Sequence, residues 1–155
     1  MGIFNHYIEH GYAAFPERSM PSPFFQKLKE LSTGYPFYVG ETDERIVVGF
    51  GFLHAYRPME VFRRTAEVSY FIHPDHCMKG LGTQLLNQLI KDGEARGIDT
   101  IIATISSKNP ESILFHRKNG FNECGHLKSV GRKFGTDFDI VIMQRMLSSA
   151  GEPRA

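Results

Sequence analysis

Apolar residues recur along this chain with two periods, about two and about 3.6, and each change of period marks an element. Residues 3–10 read as a short helix. In SPFFQKLKEL, Phe24, Phe25, Leu28 and Leu31 share one helical face, with Ser22 placed to cap and Pro23 in the first turn. PFYVGETDERIVVGFGFLHAY reads as a hairpin, in which polar TDER separates β-rich runs at 37–41 and 46–56. A third strand is expected over 65–73. Helical spacing returns from Gly82 to Arg96, where Leu85, Leu86, Leu89 and Ile90 form a buried stripe and Gly97 sits just past the end. DTIIATIS is nearly all apolar, which suits a central strand. Asn109 caps the next helix, Pro110 opens it and Gly120 ends it. A long strand, DFDIVIMQRML, is expected to pair with a segment around 121–128.

The resulting order is helix, helix, hairpin, strand, helix, strand, helix, strand, strand. It describes an α/β fold with a mixed central sheet flanked by helices, and the strand–helix–strand over 65–105 is its one clear parallel crossover. With 155 residues and no linker, repeat or low-complexity tract, the chain reads as a single domain over 1–155, frayed from about 148.

The formal net charge of +1 offers no electrostatic case for nucleic acid or an anionic membrane as partner. No apolar run reaches the ~18 residues of a membrane-spanning helix, and the first residues lack a signal-peptide pattern. Two cysteines, Cys77 and Cys124, without a CxxC, fit a reducing cytoplasm. His73, His76 and Cys77 do not complete a zinc spacing, so no metal is expected.

The chemistry concentrates in EVSYFIHPDHCMKGLGTQLL, Glu67 to Leu86, where a β-rich run enters a loop with Gly80 and Gly82 and then a helix. Glycines at a helix start let backbone N–H groups converge and let a ligand approach the chain. The first helical turn carries unpaired donors and a partial positive charge, so the point they share suits a phosphate, and Lys79 adds a cation. On local features alone, a plain turn explains these glycines as well. No Gly-Lys-Ser/Thr follows, and position 85 is Leu, so neither the Walker loop nor the dinucleotide fingerprint is present.

The order of elements, together with KGLGTQLL and ISSKNPESILFHRKNGF, resembles the GCN5-related N-acetyltransferase superfamily. Within it, NHYIEH, GYPFYVGE, FRRTAEVSYFIHPDH and VGRKFGTDFDIVIMQ resemble the phosphinothricin and methionine sulfoximine acetyltransferases, the last stretch being the most specific. The resemblance implies an acetyl-CoA-dependent N-acetyltransferase acting on the amine of a small amino acid or analogue, of phosphinothricin, methionine sulfoximine or methionine sulfone type, without a metal. It leans towards a cytoplasmic homodimer. It also implies that the family's usual first strand, beside the strand at 37–41, has no counterpart here. The alternatives are the same fold acting on another amine, a protein N-terminus or a polyamine, and a non-catalytic CoA-binding regulatory protein.

The resemblance assigns residues to roles. Glu67 is the general base; on the residues alone it reads first as a strand-end carboxylate facing water. A base is needed because amide formation takes a neutral amine, and an α-amino group is largely protonated at pH 7. His116 stands where many acetyltransferases have a Tyr that protonates the leaving thiolate, and takes the general-acid role; without the resemblance it reads as a satisfied helix histidine. The loop Cys77, Met78, Lys79, Gly80, Leu81 and Gly82 grips the pyrophosphate, with Cys77 replacing the pattern's Gln or Arg. Asn109 and Ser112 contact CoA, and the backbone of Tyr70, Phe71 and Ile72 receives the pantetheine arm and acetyl carbonyl. Arg64 is the candidate carboxylate clamp, through its two-pronged donor geometry, and Lys133 and Asp139 shape the acceptor pocket.

Overall fold

The structure is a computed structural model in which residues 1–147 are described, so the expected frayed tail lies outside the described residues. The elements are α1 (Gly2–His10), α2 (Phe24–Leu31), β1 (Phe37–Glu41), β2 (Val47–Ala55), β3 (Thr65–Ile72), α3 (Leu81–Ala95), β4 (Thr100–Ser106), α4 (Pro110–Lys118), β5 (Asn122–Lys133) and β6 (Thr136–Met146). The strands form one mixed sheet in the order β1-β2-β3-β4-β6-β5. β3 and β4 are its parallel pair, and the other neighbours are antiparallel.

Alternation along the strands gives each face its own core. On one face Leu53, Ala66, Val68, Ile101 and Ala103 pack against Leu86, Leu89 and Ile90 of α3. Leu86 and Leu89 are fully buried. Burying each leucine stabilises the fold by about 2 kcal/mol. On the other face Phe50 and Phe52 meet Phe4 and Ile8 of α1, with Phe24, Phe25 and Leu28 of α2 beside them. That layer is largely aromatic: Phe37 stacks on Phe52 at 5.1 Å, and Phe4 meets Phe71 edge-on at 5.1 Å.

Several local expectations need correcting. Ser22 does not cap α2 through its side chain; Pro23 holds the cap position, and only the Ser22 carbonyl takes part, accepting from Phe25 N at 3.1 Å. Leu31 departs from the apolar face and is exposed. The strand expected around 121–128 runs on to Lys133, and a two-residue turn at Phe134 and Gly135 joins it to β6. Both turn residues have positive φ, 52° and 70°, which matches the twist of a tight hairpin. The bulky Phe134 at the first turn position hides that signal in the sequence, because hairpins of this kind favour Asn, Asp or Gly there. Asn109 does cap α4, its side-chain oxygen accepting from Ser112 N at 3.3 Å, and Gly97 takes φ 84° past α3.

Candidate functional site

β3 and β4 are paired only through Thr65, Ala66 and Glu67, and Glu67↔Ile102 is the last pair. Beyond it β3 stays with β2 as far as Ile72, while β4 stays with β6 as far as Ser106. The two central strands therefore part, and the β3 backbone facing the gap loses its ladder partners. A cavity of ≈ 260 Å³ fills the parting, lined by Glu67, Ser69, Tyr70 and Phe71 of β3, Thr104 and Ser106 of β4, the α4 cap Asn109, and Ser112 and His116 of α4. The wall from the α1–α2 side is apolar: Phe4, Ala13, Ala14, Phe15, Pro16, Leu28 and Leu31. Phe71 belongs to the α1–α2 face and Tyr70 to the α3–α4 face, so alternation puts Glu67 on the former. The cleft thus runs through the sheet, with a carboxylate on one side and a Tyr–His pair on the other.

The loop behind the gap opens α3. Gly80 occupies the cap position with φ 84°, a left-handed conformation that glycine takes without strain, and its surroundings are open. The first intrahelical bond is from Gln84 N to the Gly80 carbonyl at 3.0 Å. The N–H groups of Leu81, Gly82 and Thr83 precede it and have no partner within the helix. Gly82 matters for packing instead. A Cβ there would meet the Phe115 ring at 3.3 Å, so its lack of a side chain sets how closely α3 approaches α4. Cys77, Met78 and Lys79 are exposed beside this donor cluster.

Tyr70 and His116 form the pair on the opposite face. His116 is 3% exposed. Its Nδ1 lies 2.7 Å from the Ser112 carbonyl, which only accepts, so Nδ1 carries the proton and Nε2 is the acceptor. The Tyr70 hydroxyl donates to that Nε2, and the rings stack at 5.5 Å. Burial, partly offset by the Ser112 bond, lowers the His116 pKa to about 4, so the ring is neutral at pH 7. Burial raises the Tyr70 pKa well above the usual tyrosine value. The imidazolium expected as general acid is therefore not the resting state of this histidine.

The structure brings together Glu67, Tyr70, Phe71, Asn109, Ser112 and His116 around one cavity; Ile72 and the glycine loop, Cys77 to Gly82, do not line it. It gives the three expected acceptor ligands partners inside the protein. Arg64, exposed at the start of β3, is paired with Asp99. Asp139 accepts from Ser129 N at 2.8 Å and pairs with His126 at 2.8 Å, and these contacts hold its carboxyl below the usual range. Lys133 is buried and donates to the carbonyls of Gly11 and Ala14, each at 2.7 Å. None of the three lines the cleft. Sequence reasoning missed the wall from residues 13–16, the Tyr70 side chain and Tyr7, whose hydroxyl donates to the Ile72 carbonyl at 2.5 Å. A loop wall and a tyrosine at a strand position leave no periodic signature. Among the described residues, no group of three or more His, Cys, Asp or Glu side chains is placed to hold a metal ion, and no helix is long and apolar enough to cross a membrane.

A mixed sheet parted between its two parallel strands, with a cavity at the parting, defines an α/β protein with a cleft in its central sheet. The family model described as "Acetyltransferase (GNAT) family" matches residues 2–121, and the chain belongs to that family: it is an N-acetyltransferase. The chain is 34% identical to the L-amino acid N-acyltransferase MnaT of Escherichia coli (strain K12), over 99% of its own length and 90% of that protein's. It is 33% identical, with the same coverage, to the L-methionine sulfoximine/L-methionine sulfone acetyltransferase of Salmonella typhimurium. Among solved structures, a phosphinothricin acetyltransferase from Sinorhizobium meliloti in complex with AcCoA superposes with a TM-score of 0.90 at 28% identity, over 99% of this chain and 84% of that one.

Proposed function

We propose that this chain transfers an acetyl group from acetyl-CoA to the amine of a small amino acid or analogue, of the methionine sulfoximine, methionine sulfone or phosphinothricin type. The observation that carries the reading is the parting of β3 from β4 directly after Glu67, which leaves a carboxylate at the fork of a through-sheet cleft. The similar proteins named above support the donor and the acceptor class.

The residues present fit the donor. The unpaired N–H groups of Leu81, Gly82 and Thr83, with Lys79 and the backbone of Cys77 and Met78 beside them, suit a pyrophosphate. Asn109 and Ser112 face the gap; on β3 the backbone groups of Tyr70 and the N–H of Ile72 turn towards it, while those of Phe71 bond β2, and the freed groups suit an extended amide-bearing arm. Acetyl-CoA supplies an acetyl group already activated as a thioester. Glu67 takes the proton of the attacking amine, directly or through a water. The backbone N–H groups of Tyr70 and Ile72, which face the gap, donate to the carbonyl oxygen as its charge develops. The amine proton stays on Glu67, and the departing thiolate is protonated from the far face: His116 Nε2 takes a proton from water through the Tyr70 hydroxyl, which regains one as it gives one, and passes it to the sulfur.

Glu67 is the one carboxylate in the cleft lining among the described residues, and an apolar wall faces it, which argues against a polyamine acceptor. In this reading the sheet is open at β1, outside which no further strand lies among the described residues. A second copy of the chain covers that edge in a homodimer, where Val39, Ile46 and Val47 are exposed. The function is tested by thiol release from acetyl-CoA with methionine sulfoximine, methionine sulfone, phosphinothricin, a polyamine and a peptide N-terminus as acceptors. Turnover with the amino-acid analogues is expected; turnover confined to the last two overturns the acceptor class.

A further inference from the structure

The most deeply buried cation in the described chain lies outside the cleft. Lys133, at the end of β5, is 1% exposed, yet its ammonium has a defined coordination: the carbonyls of Gly11 and Ala14 at 2.7 Å and the face of Phe134 at 4.8 Å. Burying an ammonium without an anion in contact is costly, and burial accordingly lowers the Lys133 pKa. Two carbonyl acceptors and an aromatic face offset that cost only if the loop from Gly11 to Ala14 keeps its shape.

The loop held in this way is the apolar wall of the cleft. Ala13, Ala14, Phe15 and Pro16 line the cavity opposite Glu67. Other contacts from the same loop reach the same hairpin: Tyr12 meets Phe134 and Phe138 edge-on, both at 5.6 Å, and Phe15 stacks on Phe138 at 6.0 Å. The loop has no helix or strand of its own between α1 and α2, so nothing in its backbone pattern fixes it. Its position next to the cleft is set from the β5–β6 hairpin, by the Lys133 ammonium together with the Tyr12 and Phe15 ring contacts.

We infer that Lys133 is a positioning residue for the acceptor: it does not touch the amine substrate, but holds the Gly11–Pro16 wall against which that substrate is placed for attack. The inference rests on the reading that the cleft at Glu67 receives the acceptor. It assigns the lysine a role in acceptor selection exerted from behind the wall.

The test compares Lys133→Met, which keeps the volume of the stem and removes the ammonium, with Phe15→Ala, which removes part of the wall directly. Misplacement on the ångström scale typically costs up to about 10²-fold, so Lys133→Met should raise the acceptor KM or lower kcat/KM for the acceptor roughly 10–100-fold, with the acetyl-CoA KM within about twofold. Lys133→Arg should recover part of the loss. The double variant should lose less than the product of the two single losses, because both act through one wall. If Phe15→Ala shifts the acceptor KM and Lys133→Met does not, the lysine proposal fails and the cleft reading stands. If Phe15→Ala leaves every acceptor parameter unchanged, the cleft reading fails. Equal losses towards both substrates, or variants at Lys133 that do not fold, reduce the lysine to a structural role and overturn the proposal.

Discussion

The hydroxyl of Tyr70 donates to Nε2 of His116, while the Ser112 carbonyl holds the other ring nitrogen at 2.7 Å. The Ser112 carbonyl fixes the proton on Nδ1, and burial of the ring disfavours a second proton on Nε2. A stability signature follows. The His116 pKa is lowered from 6.5 to about 4, so between those values the unfolded chain binds more protons than the folded one. The contribution is fully present above the unfolded pKa and is lost as pH falls towards 4. Urea unfolding at pH 7 and pH 5 should show a loss of about 2 kcal/mol attributable to this group, which His116→Gln should remove. An unchanged pH dependence in the variant would count against the neutral ring.

Glu67 sits at the last pair of the β3–β4 ladder. If its carboxylate is the base, Glu67→Gln keeps the shape and cannot take a proton. Turnover should fall by about 10²–10⁴-fold, with the acetyl-CoA dissociation constant little changed. Wild-type activity should rise with pH as both the carboxylate and the acceptor amine lose their protons. Steady-state kinetics from pH 6 to 9 separates this from a spectator carboxylate, whose replacement typically shifts stability by no more than about 0.5 kcal/mol and leaves the rate near normal.

The two loop glycines should respond differently. Gly80→Ala forces a side chain into a left-handed backbone at φ 84°, which costs roughly 1–2 kcal/mol and disturbs the donors at the start of α3. Gly82→Val drives against the Phe115 ring, which a Cβ already meets at 3.3 Å, and should push α3 and α4 apart. Both should weaken CoA binding in calorimetry. Normal CoA affinity in a folded Gly82→Val protein would remove the phosphate cradle from the site.

Asn109 combines a cap with a place in the cleft lining. Asn109→Ala should cost about 1 kcal/mol of stability from the lost cap. Asn109→Ser restores a capping oxygen on a shorter side chain. If the stability recovers in Asn109→Ser while the acetyl-CoA KM stays raised, the amide has a ligand role beyond the cap; a KM that follows stability means capping alone.

Much of the fold is legible in the chain alone. The periodic spacing of Leu85, Leu86, Leu89 and Ile90, the apolar run of β4, and the Asn109-Pro110 start of α4 are local signals, and each element forms where its pattern places it. The glycine loop and the stretch around Glu67 can be read because a helix start and a strand end depend on neighbours in the chain. The partners of Lys133, Arg64 and Asp139 are illegible in the sequence for the opposite reason. A charged residue in a sequence carries no mark of whether it meets a ligand, a carboxylate or a backbone carbonyl more than a hundred residues away, as Lys133 does at Gly11.

The sequence by itself determined most of the elements, their order and the donor-rich loop, because these follow from period, capping and short-range motif, and it carried the family resemblance in its motifs. Only the tertiary structure decided that β3 and β4 separate after Glu67, that His116 is neutral beneath Tyr70, and that an apolar loop closes one side of the cleft. Those features arise from contacts between segments distant in the chain. Their burial and hydrogen-bond partners exist only once the sheet has brought those segments together.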